Sequence, residues 1–186
     1  MIDRTTIRAA AVAAIKAANT AAGQSVFSPL DWPTQAGKYP LIIVRTPNER
    51  KENAAPRNGP PQFFSTITIA VTGRVEATTE AAAETALETL STQIEAALLT
   101  NAQFIVANGV QQFSSVSISM DVRAESDQHY GETVVSFDVE VFQLYAPVID
   151  AAGNAIGPSL TDVNLIINLN TGETQDTGLS LTLPGA

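Results

Sequence analysis

Between residues 63 and 76 apolar and polar positions alternate with a period of two. Ile67, Ile69, Val71 and Val75 fall on one side and Thr66, Thr68 and Thr72 on the other, the signature of a half-buried strand. Threonine on the second side keeps β propensity high without adding charge. Two later stretches repeat the pattern. Val116, Ile118, Met120 and Val122 alternate with Ser115, Ser117, Ser119 and Asp121, and Val135, Phe137, Val139 and Val141 alternate with Val134, Ser136, Asp138 and Glu140. The turn-rich ESDQHYGE between them predicts an antiparallel hairpin, its register set by burying one apolar face. Residues 41–44 form a continuous apolar run, read as a short buried strand, and Val26 with Phe27 a short extended piece. At Phe142, Leu144 and Tyr145 the last strand becomes apolar on both faces, as if a further chain covered it.

A period near 3.6 replaces the alternation in two places. Residues 4–20 carry Ile7, Ala11, Ala14, Ile15 and Ala18 as one stripe, with Asp3 placed to cap the start and Gly23 just past the end. Residues 80–99 carry Leu87, Leu90, Ile94 and Leu98 as a core stripe, with Thr78 or Thr79 as cap. Residues 28–40 hold three prolines and predict a loop anchored by Trp32 and Tyr39; residues 46–62 hold four prolines and a charge cluster and predict a long loop. A loop that long needs a reason, such as a partner that orders it. The Asn108-Gly109 pair marks a further loop.

These elements predict an α+β fold: a small mixed or antiparallel sheet packed by two helices, occupying residues 1–147. Residues 148–160 predict a Gly/Pro/Ala linker. Residues 161–186 alternate Leu165, Ile167 and Leu169, then Leu179, Leu181 and Leu183, giving a β-rich C-terminal extension. A lone hairpin is marginal in water, so this extension is expected to rest on the body or on a neighbour.

Composition narrows the chemistry. Only 16% of the 186 residues are charged, against roughly 25% in ordinary domains. Much of the polar surface is therefore Thr, Ser, Asn and Gln, which desolvate more cheaply than charges and favour protein contacts. Cysteine is absent, which excludes disulfides, thiolate nucleophiles and Cys-ligated metals. The alanine-rich N-terminus, interrupted by Lys16, reads as a soluble helix, and no run approaches the roughly 18 apolar residues of a membrane span. The single histidine, His129, is expected at the surface. No metal-binding, P-loop or nucleophile-elbow motif accompanies it. Asp121, Asp138 and Glu140 share a polar strand face, where solvated or ion-paired carboxylates are the expectation. No catalytic, cofactor-binding or metal-ligating residue is assigned.

Net charge is −9 and unevenly placed. Residues 1–58 hold eight Lys/Arg against four Asp/Glu, and residues 59–186 hold two against fifteen. A body so acidic repels phosphate backbones. The one basic concentration is Arg45, Arg50, Lys51 and Arg57, while residues 80–99 carry Glu80, Glu84 and Glu88 with no Lys or Arg. Two unlike surfaces on one protomer predict a subunit interface in which the basic stretch meets the acidic helix of a neighbour.

The order helix, short strand, long loop, strand, helix, hairpin resembles the tail terminator, or tail completion, proteins of long-tailed bacteriophages. The resemblance is carried by FFSTITIAVTGRVEA at 63–77, AAAETALETLSTQIEAALLTN at 81–101, and the pair SSVSISMDVRAES and ETVVSFDVEVFQLYAP. It spans residues 1–147 and is one of pattern. It implies a non-enzymatic virion protein, assembled in the host cytoplasm, whose six copies close into a ring. The implied partners are the tail tube protein below, a neck or connector protein above, the sheath if the tail is contractile, and DNA passing without specific recognition. It implies no membrane and no cofactor. A head–tail connector or tail tube subunit is the alternative structural role. An enzyme using Asp121, Asp138, Glu140 and His129 is the alternative of another class.

Overall fold

A computed structural model describes residues 2–28, 39–54, 60–125 and 127–146, and the backbone of 164–165 and 179–180. The chain divides into two units, Met1–Tyr145 and Ala146–Ala186. Trp32, Arg57, the linker and most of the C-terminal extension lie outside the described residues.

Helix α1, Arg4–Ala17, starts where Asp3 Oδ1 accepts the Thr6 backbone N–H at 2.7 Å. That bond satisfies one of the free amides of the first turn and holds the Asp3 carboxyl below its usual range. Its stripe of Ile7, Ala11, Ala14 and Ile15 is buried. Strands β1, Val26–Phe27, and β2, Leu41–Asn53, follow, then β3, Gln62–Ala77. Helix α2, Glu80–Leu99, is capped by the Thr79 hydroxyl, which accepts the Ala82 N–H at 3.2 Å. A short helix α3, Ala102–Ala107, precedes β4, Val110–Glu125, and β5, Gln128–Leu144. In the C-terminal unit β6, Asn164–Leu165, pairs antiparallel with β7, Leu179–Ser180.

The sheet runs β1-β2-β3-β5-β4 and is mixed, because β1 is parallel to β2 while every other pair is antiparallel. The α+β expectation therefore holds. Ile67, Ile69, Val71, Val135, Phe137 and Val139 are fully buried on one face, against Leu87, Leu90, Ile94 and Leu98 of α2. The helix presses close where the sheet has no side chain. A Cβ at Gly73 would stand 2.7 Å from Leu90 Cδ2, and one at Gly131 would stand 2.8 Å from Leu87 Cδ1. Both glycines are the space that lets α2 lie flat on the strands.

Three expectations are corrected. First, residues 46–53 are not loop, because β2 continues to Asn53, opposite Phe63. Its proline is tolerated because Pro47 sits in a bulge between Arg45 and Asn48, where one extra residue leaves the ladder. Pairing with β3 supplies the order that local composition does not. Second, the segment around His129 is not a turn: β5 begins at Gln128, and half-buried His129 pairs with Ala77 and Ala124. Third, Val116, Ile118 and Met120 do lie on the helix-side face, opposite Phe137, Val135 and Thr133. They are nonetheless 39%, 41% and 43% exposed: the core reaches β4 at Val110, Phe113 and Val122 and covers residues 116–120 only in part.

Candidate assembly surfaces

The face of the sheet away from the helices carries a hydroxyl-rich lattice. Reading across the strands, Thr68 stands opposite Asp138 and Asp138 opposite Ser115; Thr72 stands opposite Val134 and Val134 opposite Ser119. Asp138 is held by two hydroxyls, with Thr68 Oγ1 and Ser115 Oγ each donating at 2.7 Å. Arg74 Nε donates to Glu132 Oε2 at 2.6 Å and Arg123 Nε to Asp121 Oδ2 at 2.7 Å. The only two cations after residue 59 are thus paired with acids on this face. The Asp121 carboxylate in turn raises the pKa of Arg123.

A groove of about 720 Å³ lies at the hairpin end of the same face, among Tyr39, Arg74, Glu76, Asp121, Arg123 and Tyr130. The Glu76 charge raises the Tyr130 pKa, and the Tyr130 hydroxyl donates to Glu76 at 3.4 Å. Of the four residues weighed for an enzyme, only Asp121 lines this groove. Asp138 sits in the lattice, and His129 Nδ1 is buried with no hydrogen-bond partner among the described residues. Among the described residues no group of His, Cys, Asp and Glu is arranged to hold a metal. No helix there is long and apolar enough to cross a membrane.

Three residues of the basic cluster, Arg45, Arg50 and Lys51, lie on strand β2 rather than in a loop. Arg45 and Arg50 stand opposite Ala70 and Thr66, on the hydroxyl-rich face. Arg50 Nη2 lies 2.9 Å from Glu52 Oε1, with both side chains largely exposed, so the pair is worth little by itself. Lys51 points to the helix side, opposite Ser65. Its Nζ donates to Tyr145 Oη at 2.5 Å and lies 3.4 Å from Glu49 Oε1. The Tyr145 bond, helped by Glu49, raises the Lys51 pKa despite partial burial.

Around Lys51 a network closes that composition does not reveal. Buried Gln143 donates through Nε2 to Ile2 O at 2.8 Å and to Glu49 Oε1 at 3.2 Å. It accepts from Tyr145 Oη at 3.1 Å. Ser65 Oγ donates to Glu49 Oε1 at 2.8 Å. Burial pushes the Glu49 carboxyl up, but the bonds from Ser65 and Gln143 and the Lys51 charge outweigh it and hold it below the ordinary range. Gln143 continues the core-facing row of β5, and only its amide at an apolar position hints at this.

Glu80, Glu84 and Glu88 lie exposed along one side of α2. Glu80 favours the helix dipole at the first turn. The two like-charge i,i+4 pairs destabilise by about 0.2–0.5 kcal/mol each. Among the described residues no ion pair joins Arg45, Arg50 or Lys51 to Glu80, Glu84 or Glu88. Lys51 pairs with Ser65 near the start of β3, whereas α2 begins just beyond its end at Ala77. Twelve strand residues separate those points, about 40 Å at the usual rise.

No family model matches the chain, and no curated protein matches it. Among solved structures it is similar to a chain of the virion of a native gene transfer agent particle, with 15% identity and a TM-score of 0.37, covering 72% of this chain and 93% of that one.

Proposed function

We propose that this protein is a structural component of a tailed phage-like particle, a protomer that closes with copies of itself into a sixfold ring. In this reading the ring terminates the tail tube and joins it to the neck. One observation carries the proposal. A single sheet has one face covered by helices over most of its width, while the other, among the described residues, carries Thr and Ser hydroxyls and carboxylates, with Arg74 and Arg123 ion-paired to Glu132 and Asp121. Such a face suits the lining of a passage for DNA, since it is wettable and repels phosphate.

The separation of charge suits ring closure. Contact between the Arg45/Arg50 end of one protomer and the Glu80/Glu84/Glu88 end of the next is heterologous, as a cyclic assembly requires. It also relieves the like-charge row on α2. The chemistry of this function is steric and electrostatic, with no bond made or broken by the chain. The tube protein and the neck protein would take the two rims.

A tail tube subunit would present similar surfaces but stack without limit. Electron microscopy of the purified protein, with a mass measurement beside it, tests the proposal. Closed rings of finite mass are expected. Long tubes would favour the tube subunit, and a monomer at tens of micromolar with no rings would overturn the ring.

A further inference from the structure

We propose that the free edge of β4 docks a second copy of this chain, by antiparallel pairing of the two β4 strands about Ile118. The strand is 16 residues long and is the terminal strand of its sheet. One edge is bonded to β5, and the other pairs with no strand among the described residues. Such an edge is a template for another strand unless charge, proline or a bulge blunts it. None of these interrupts residues 115–120: the register to β5 is regular from Ser115 onward, and residues 110–120 carry no charge and no proline.

The side chains select the occupant. Val116, Ile118 and Met120 form a partly exposed apolar strip beside the edge, on the helix-side face. Serines 115, 117 and 119 fill the other face. Antiparallel pairing of two copies about Ile118 sets Ile118 against Ile118, Val116 against Met120, and Ser117 against Ser119. Each apolar side chain then meets an apolar one, and each hydroxyl meets a hydroxyl, as cross-strand pairing favours. Asp121 falls opposite Ser115, so no acids face each other. Two molecules of net charge −9 repel wherever their acidic surfaces approach, and this neutral strip is a place where they can meet. The β2 edge of a second copy fits worse. It would lay Glu49 and Lys51 beside the apolar strip, and its Pro47 bulge breaks the ladder.

The contact is two-fold and separate from the head-to-tail contact proposed for the ring. That contact runs along the strand direction, which leaves the β4 edge facing along the ring axis. In the free protein, paired β4 edges would therefore join two rings back to back through a rim that a tail or neck protein takes in the particle, and without ring formation they give a dimer.

Light scattering with size exclusion on wild type, Ile118→Lys and Met120→Lys tests the pairing, with circular dichroism to check that each variant folds. Both positions are partly exposed, so a lysine is accommodated in the protomer. The wild-type mass is expected to be an even multiple of the protomer, and either lysine should halve it, with at least a ten-fold weaker association. Arg50→Ser, on the opposite edge, should leave the halving step intact. A wild-type monomer at tens of micromolar, or a mass unchanged by both lysines, overturns the pairing. A dimer that becomes a monomer keeps the pairing and sinks the ring; a single ring that ignores both lysines does the reverse.

Discussion

Along the outer edge of β2, from Thr46 to Asn53, the sequence places Pro47 in a bulge and then six charged or amide side chains in succession. Along the outer edge of β4, residues 115–120 are regular in register and offer only Ser, Val, Ile and Met. The β2 edge carries the devices that keep a strand from pairing further; on β4 the bulges lie before Ser115 and the charges begin at Asp121, so residues 115–120 lack them. The polar residues differ in the same sense. On β2, Glu49 and Lys51 are tied through Gln143 to the backbone of Ile2, so its charges hold the protomer together. On β4, the apolar strip of Val116, Ile118 and Met120 is only partly covered. The contrast separates a side built for protomer stability from a side left for association.

The sharpest break in that contrast would come from comparing two aliphatic residues on the same sheet face. Leu90 is fully buried against the Gly73 gap, so Leu90→Ala should cost about 2–5 kcal/mol in chemical denaturation. Ile118→Ala, measured at concentrations low enough to keep protomers apart, should cost under about 1 kcal/mol, since much of that side chain already meets water. Equal losses would mean that β4 is covered after all.

The next effect belongs to β2. Gln143→Ala leaves the Ile2 carbonyl and the Glu49 carboxylate each short of a donor, and should destabilise by about 1–3 kcal/mol in urea denaturation. Ser115→Ala, which removes one exposed bond to Asp138, should stay within about 0.5 kcal/mol. A reversal of that order would place the protomer's polar anchor on β4.

The smallest effect is one of pH. Glu49 is depressed in the folded protein, so its contribution is complete above the ordinary glutamate pKa of about 4.3 and is lost as pH falls through the lower folded value. Thermal melts of wild type and Glu49→Gln should differ most near neutrality and converge below about pH 4. A difference that stays constant down to pH 3 would show that the Glu49 charge is not what the network uses.

The long alternating stretches were legible as strands, and α2 was legible to within its ends, because one face of each is covered and the period of burial is written in the residues. The Asp3 and Thr79 caps were legible for the same local reason. Residues 46–53 were not, since their order comes from pairing with β3 and their polar composition is that of a guarded edge. Helix α3 was missed because six residues are too few for a period to show. The exposure of Val116, Ile118 and Met120 was illegible in principle: alternation tells which side of a strand is apolar, not whether a helix reaches it. The charged residues of the candidate interface were visible as composition. The placement of Arg50 and Lys51 near the start of β3 and of α2 just beyond its end, and the capture of Lys51 by Tyr145 and Glu49, needed the tertiary structure.

The chain has no cysteine, so a single introduced thiol reports its own neighbour. Ile118→Cys and Arg50→Cys, each oxidised mildly at equal concentration and separated on a non-reducing gel, measure the two edges against each other. Rapid formation of a covalent dimer by Ile118→Cys, with Arg50→Cys remaining a protomer, is the predicted result. Cross-linking at Arg50 as fast as at Ile118, or at neither position, would contradict the account.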